Sequence, residues 1–93
     1  MIITSVTIEV ANYSEWKSLF DLYAPGRKAM GSKGGIIYKK NDSNVITVIM
    51  KWSDKKKAIA FHESKNLENA MKKSGVVSIP IVRFYDEVEA VEI

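Results

Sequence analysis

The sequence predicts an α+β domain with the element order β-α-β-β-α-β. Three observations carry that expectation. The apolar residues alternate with a period of two in some segments and recur at helical spacing in others. Glycine, proline and polar clusters fall between these segments. The two halves also share one plan: Phe20 and Phe61, like the cap candidates Asn12 and Ser53, stand about 41 residues apart.

The first strand runs from Ile2 to Val10. Ile2, Val6, Ile8 and Val10 share one face, with Thr4 the polar exception, and Ile3, Ser5, Thr7 and Glu9 form a mixed face. Asn12 or Ser14 then caps a helix, and Glu15 places a carboxylate in its positive first turn. Trp16, Leu19, Phe20 and Tyr23 make an aromatic stripe at helical spacing. Pro25-Gly26 interrupts it, because proline lacks an N–H and clashes with the preceding turn. One more turn over Arg27 to Met30 is expected before Gly31 terminates it. Gly34-Gly35 reads as a turn, followed by a second strand at Ile36, Ile37 and Tyr38. The polar run Asn41-Asp42-Ser43-Asn44 marks a hairpin into a third, β-branched strand, Val45 to Trp52.

Ser53-Asp54 caps the second helical region. Its two sets, Ala58, Ile59, Phe61 and His62 on or near one face and then Leu67, Ala70 and Met71, are out of step, which predicts a break or a short 3₁₀ step over Ser64 to Asn66. Gly75 closes this region. Pro80 opens the last strand, expected over Ile81 to Val91 with acidic residues Asp86, Glu87, Glu89 and Glu92.

Two strand–helix–strand units with both helical regions on one face of an antiparallel sheet give a ferredoxin-like fold. Residues 1–93 form one such domain. The opposite sheet face carries Ile, Val or Tyr from several strands, with nothing left in the chain to cover it. A second copy packed sheet against sheet is the expected remedy, so a homodimer is predicted.

The composition narrows the chemistry. With no cysteine and one histidine, neither a disulfide framework nor a thiolate or multi-histidine metal site can form within one chain. The net charge of +3 is spread along the chain, densest at Lys55-Lys56-Lys57, without the interleaved aromatics of a nucleic-acid face. No apolar run reaches membrane-spanning length, and the N-terminus does not read as a signal peptide, so a cytoplasmic protein is expected. The carboxylates show no metal or acid/base spacing, and the glycine stretch does not open a helix as a phosphate loop would.

Several segments carry a family resemblance: Val10-Ala11-Asn12-Tyr13-Ser14-Glu15-Trp16, Phe20-Asp21, Ala24-Pro25-Gly26-Arg27, Gly31-Ser32-Lys33-Gly34-Gly35, Trp52-Ser53-Asp54 and Met71-Lys72-Lys73-Ser74-Gly75-Val76. Over nearly its whole length the chain resembles the dimeric α/β-barrel superfamily, which includes the antibiotic-biosynthesis monooxygenases. The resemblance implies a dimeric barrel with a ligand cavity between helices and sheet in each subunit. It implies two chemistries. Cofactor-free monooxygenases surround an aromatic substrate with polar side chains and a tryptophan. Haem-degrading members ligate iron through a histidine on the second helix, with an asparagine on the first strand. His62 matches the first part of that second pattern; Asn12 falls after the strand.

The candidate site residues follow. His62 and Tyr23 are the candidate proton-handling residues, His62 because its ordinary pKa lies near neutrality. Trp16, Phe20 and Tyr38 are candidate pocket walls, and Arg27 is a candidate partner for an anionic ligand or for Asp21. Arg83 shares a strand face with Ile81 and Tyr85, pairing across a dimer or facing water. The first functional expectation is a small-molecule-binding protein or cofactor-independent monooxygenase acting on a small apolar or aromatic ligand. The alternatives are a regulatory or stress-response dimer that binds another protein, and a haem-binding protein.

Overall fold

A computed structural model describes all 93 residues. Four antiparallel strands, β1 (Ile2–Glu9), β2 (Ser32–Lys39), β3 (Val45–Trp52) and β4 (Ile81–Asp86), lie in the order β2-β3-β1-β4. Between them run α1 (Tyr13–Leu22), α2 (Ala24–Ala29), α3 (Lys55–His62) and α4 (Lys65–Lys73). This is the ferredoxin-like βαββαβ plan, with each helical region split in two.

Local chemistry explains the splits. Asn12 Oδ1 accepts the Glu15 N–H at 3.0 Å and starts α1. The helix pauses at Tyr23, and Pro25 sits in the first turn of α2, where a missing N–H costs nothing. Gly31, at φ 108°, ends that region. Asp54 Oδ1 caps α3 by accepting the N–H of Lys56 at 2.8 Å. Ser64 breaks the second region within the expected span. Its Oγ donates to the Phe61 carbonyl at 2.8 Å and accepts the Leu67 N–H at 3.2 Å, closing one helix and capping the next.

Two strand boundaries differ from expectation. β2 begins at Ser32, so Gly34 and Gly35 lie inside the strand, at a bulge opposite β3, and do not form a turn before it. A Cβ on Gly35 would sit 1.9 Å from the Ile49 carbonyl oxygen, so only glycine permits this approach. β4 stops at Asp86, not at Val91. Its last ladder contact is the Glu87 N–H to the Met1 carbonyl, 3.0 Å, and past it no strand of this sheet lies alongside.

Register assigns the two sheet faces. Thr4, Val6, Ile8, Ile46, Val48, Met50 and Trp52 face the helices and are buried against Trp16, Ala58 and Phe61. Thr4 belongs here because its hydroxyl accepts the Trp52 Nε1–H at 3.0 Å, which satisfies two buried polar groups at once. The other face presents cross-strand rows in which Ile36 faces Ile49, Tyr38 faces Thr47, Thr7 faces Ile81 and Ile3 faces Tyr85. Thr7 and Thr47 share a hydrogen bond at 2.9 Å in the middle of this face. Ile36, Tyr38, Ile81 and Tyr85 are each about half exposed.

Candidate functional site

A hollow of about 360 Å³ lies between the helices and the sheet. Val6, Ile8, Val48 and Met50 form its floor. Trp16, Phe20 and Tyr23 from α1 and its C-cap form one wall, with Arg27 and Met30 beside them. Phe61 and His62 from α3, and Leu67, Ala70 and Met71 from α4, form the other. The helical breaks belong to this space, since Tyr23 at the first and Ser64 at the second both line it.

Five of the six sequence-predicted site residues meet here: Trp16, Phe20, Tyr23, Arg27 and His62. The sixth does not. Tyr38 pairs with Thr47 in β3, which places it on the open sheet face, 55% exposed and away from the hollow. Arg83 lies on that open face as well, opposite Ser5.

His62 sits among aromatic rings. Its ring centroid is 5.0 Å from that of Phe61, 5.6 Å from Phe84 and 6.0 Å from Trp52, all edge-on. Both ring nitrogens are buried and neither has a hydrogen-bond partner within the chain. Burial therefore disfavours the charged form and pushes the imidazole pKa down to about 4. A neutral imidazole without partners is costly, at roughly 1–3 kcal/mol for each unsatisfied group. Phe84, which sequence reasoning passed over, is the outermost of the three rings, 41% exposed on edge strand β4. Its alternation with Arg83 and Tyr85 was the available signal.

On the opposite wall, Trp16 and Phe20 stack at a centroid distance of 4.8 Å. The Arg27 guanidinium lies 3.6 Å from the Phe20 ring centre and donates to the Phe20 carbonyl at 2.6 Å. Burial lowers the Arg27 pKa from its ordinary value, opposed by the nearby Asp21 carboxylate, and the group stays charged at neutral pH.

The haem pattern does not fit. Asn12 is exposed and its side chain is committed to capping α1, so it offers no counterpart to the asparagine of that pattern. No group of three or more His, Asp or Glu side chains converges to hold a metal ion. No helix is long and apolar enough to cross a membrane.

The fold and this hollow together define a ferredoxin-like domain that holds its cavity between helices and sheet. More particularly, the chain has the fold of solved antibiotic biosynthesis monooxygenases. It superposes on an asparagine-to-alanine mutant of SnoaB from Streptomyces nogalater, a cofactor-independent oxygenase, with a TM-score of 0.74 at 12% identity, covering 97% of this chain and 95% of that one. The ActVA-Orf6 monooxygenase of Streptomyces coelicolor in complex with nanaomycin D gives 0.68 at 13% identity, covering 99% and 91%. Another antibiotic biosynthesis monooxygenase gives 0.71 at 8% identity, covering 96% and 100%. No family model matches the sequence, and no curated protein matches it.

Proposed function

We propose that this protein binds a small aromatic molecule in the hollow between helices and sheet and oxygenates it without a cofactor, as a homodimer. The observation that carries the reading is His62: an uncharged imidazole with two unpartnered nitrogens in the wall of a largely apolar cavity. Apolar walls with a few polar tips are the usual form of a small-ligand site. The structural likeness to SnoaB and ActVA-Orf6 supports the chemistry as an analogy of fold.

In this reading the aromatic ring lies between Trp16 and Phe20 on one side and Leu67 and Met71 on the other. A small turn of the His62 ring about its broad χ2 well brings a nitrogen to the cavity surface. There it accepts a hydrogen bond from a phenolic O–H. With its pKa near 4 the imidazole is too weak a base to carry that proton away outright. Its contribution is to orient the hydroxyl and to raise the electron density of the ring that meets dioxygen. Tyr23, also on the cavity wall, offers a second hydroxyl for the oxygen side. For 1-naphthol the balanced reaction is one phenol plus one O₂ giving 1,4-naphthoquinone and one water. One oxygen atom enters the ring and the other leaves as water, and the substrate supplies all the electrons.

The homodimer follows from the open sheet face. Half-exposed Ile36, Tyr38, Ile81 and Tyr85, with Ile3 and Ile49 among them, form an apolar surface that a second sheet would cover.

The test is oxygen uptake with 1-naphthol, with quinone formation followed by absorbance. Uptake is expected, and His62→Ala should slow it by up to about tenfold, the worth of one neutral hydrogen bond. Binding without uptake would reduce the protein to a carrier or regulatory module. Neither binding nor uptake would overturn the reading.

A further inference from the structure

A second hollow, of about 340 Å³, lies between α1 and the bulged start of β2. It shares Phe20, Arg27, Val48 and Met50 with the first, so the two spaces abut across the Phe20–Arg27 pair. The charges around them are one-sided. Arg27 and Lys73 line the first hollow, Lys17 and Arg27 the second, and no Asp or Glu lines either.

Arg27 lies at the boundary of both hollows and makes no ion pair, although the Asp21 carboxylate is near enough to act on its charge. The ion pairs of the chain are Lys17–Asp21, Lys65–Glu68 and Lys72–Glu68. Asp21, the nearest carboxylate, is thus held by Lys17. A guanidinium has five N–H donors in a rigid fork, and the one hydrogen bond it makes here goes to the Phe20 carbonyl. That bond and the contact with the Phe20 ring fix the plane of the group while leaving the rest of the fork free. A fixed, half-buried fork beside an apolar cavity is the arrangement that receives a carboxylate through two parallel hydrogen bonds.

We propose that the ligand of this protein is an aromatic carboxylate, with its ring in the first hollow and its carboxylate on Arg27 at the boundary with the second. The inference rests on the reading of the first hollow as the ligand site and narrows it. The substrate class becomes a hydroxylated aromatic acid, its hydroxyl toward His62 and its carboxylate toward Arg27. Phe20 serves both ends, since its ring stacks on Trp16 and carries the guanidinium.

Calorimetric titration of the full chain with 2-naphthoate and with its neutral counterpart 2-naphthalenemethanol separates the two claims. The wild type should bind the acid at least about tenfold more tightly than the alcohol, the range of a charged hydrogen bond. Arg27→Gln should bring the two probes to within about twofold of each other. Arg27→Lys should keep part of the preference, because the charge remains and the fork is lost. Should Arg27→Gln fail to fold, the wild-type preference and the lysine variant still decide the matter. Equal binding of acid and alcohol by the wild type would overturn the carboxylate while leaving the aromatic cavity standing. An Arg27→Gln variant that weakens both probes alike would do the same. Failure of both probes to bind the wild type would overturn both readings.

Discussion

The two faces of this sheet are built from the same strands and do opposite things. On the helix side, Ile46 and Trp52 have no exposed surface and Val6 and Ile8 have 3%. On the far side, in edge strand β2, Tyr38 is 55% exposed and Ile36 54%. Side chains alternate across a strand, so a shift of a single position separates core from surface. The chain supplies four helices, and all of them go to one side, where they enclose a hollow between them. The lesson is a division of labour. The covered face encloses a hollow, and the bare face leaves half-exposed apolar side chains in the open.

The contrast can be broken from either side. Trp52→Ala removes the most deeply buried ring and leaves the Thr4 hydroxyl without its donor. A loss of about 3–5 kcal/mol is expected, measured by urea unfolding. A loss below about 1 kcal/mol would mean that the core is not organised around this ring. On the bare face, Tyr38→Glu together with Tyr85→Glu should leave the far-ultraviolet circular dichroism unchanged. It should weaken dimerisation by about 100-fold in sedimentation equilibrium, through like charges at the contact. A variant that remains dimeric would move the interface elsewhere.

Gly35→Ala tests the bulge that joins β2 to β3. A methyl group there meets the Ile49 carbonyl oxygen at 1.9 Å, so the strands must separate locally. About 1–3 kcal/mol of destabilisation is expected from thermal melts. The smallest effect is pH-dependent. His62 titrates near 4 in the folded protein, below its ordinary 6.5. As pH falls, the unfolded chain therefore takes up the proton first. The stability tied to the neutral ring is complete above about pH 6.5 and drains away between 6.5 and 4. By pH 5 the loss is about 1 kcal/mol, allowing for partial solvent screening. His62→Phe should flatten the melting temperature across that window. An unchanged slope would place the imidazole in contact with water.

Much of this plan is legible in the sequence, for identifiable reasons. Strand alternation in Val45 to Trp52 and the aromatic spacing of Trp16 and Phe20 are local signals, which point to the core face and to side chains that line the hollow. The break at Ser64 is legible because the apolar sets on either side are out of phase. What escaped depends on pairing across the chain. Thr4 looks like a flaw in an apolar face until Trp52, 48 positions away, donates to it. Tyr38 resembles a pocket residue by type, but its face is set by its register against Thr47. The bulge at Gly34-Gly35 hides that register, since glycines carry no alternation to follow. Phe84 is a similar case, because its contact with His62 joins an edge strand to a helix end, and neither half announces the other.

The most direct measurement is an amide and indole chemical-shift map of the ¹⁵N-labelled protein during titration with 1-naphthol. The account predicts perturbations at the Trp16 and Trp52 indoles and at the backbone of Val48, Met50, Phe61 and His62. Ile36, Tyr38, Ile49 and Tyr85 should stay still. Shifts gathered on that second group, with the helix-side residues silent, would contradict it, because the ligand would then sit on the face assigned here to the second copy.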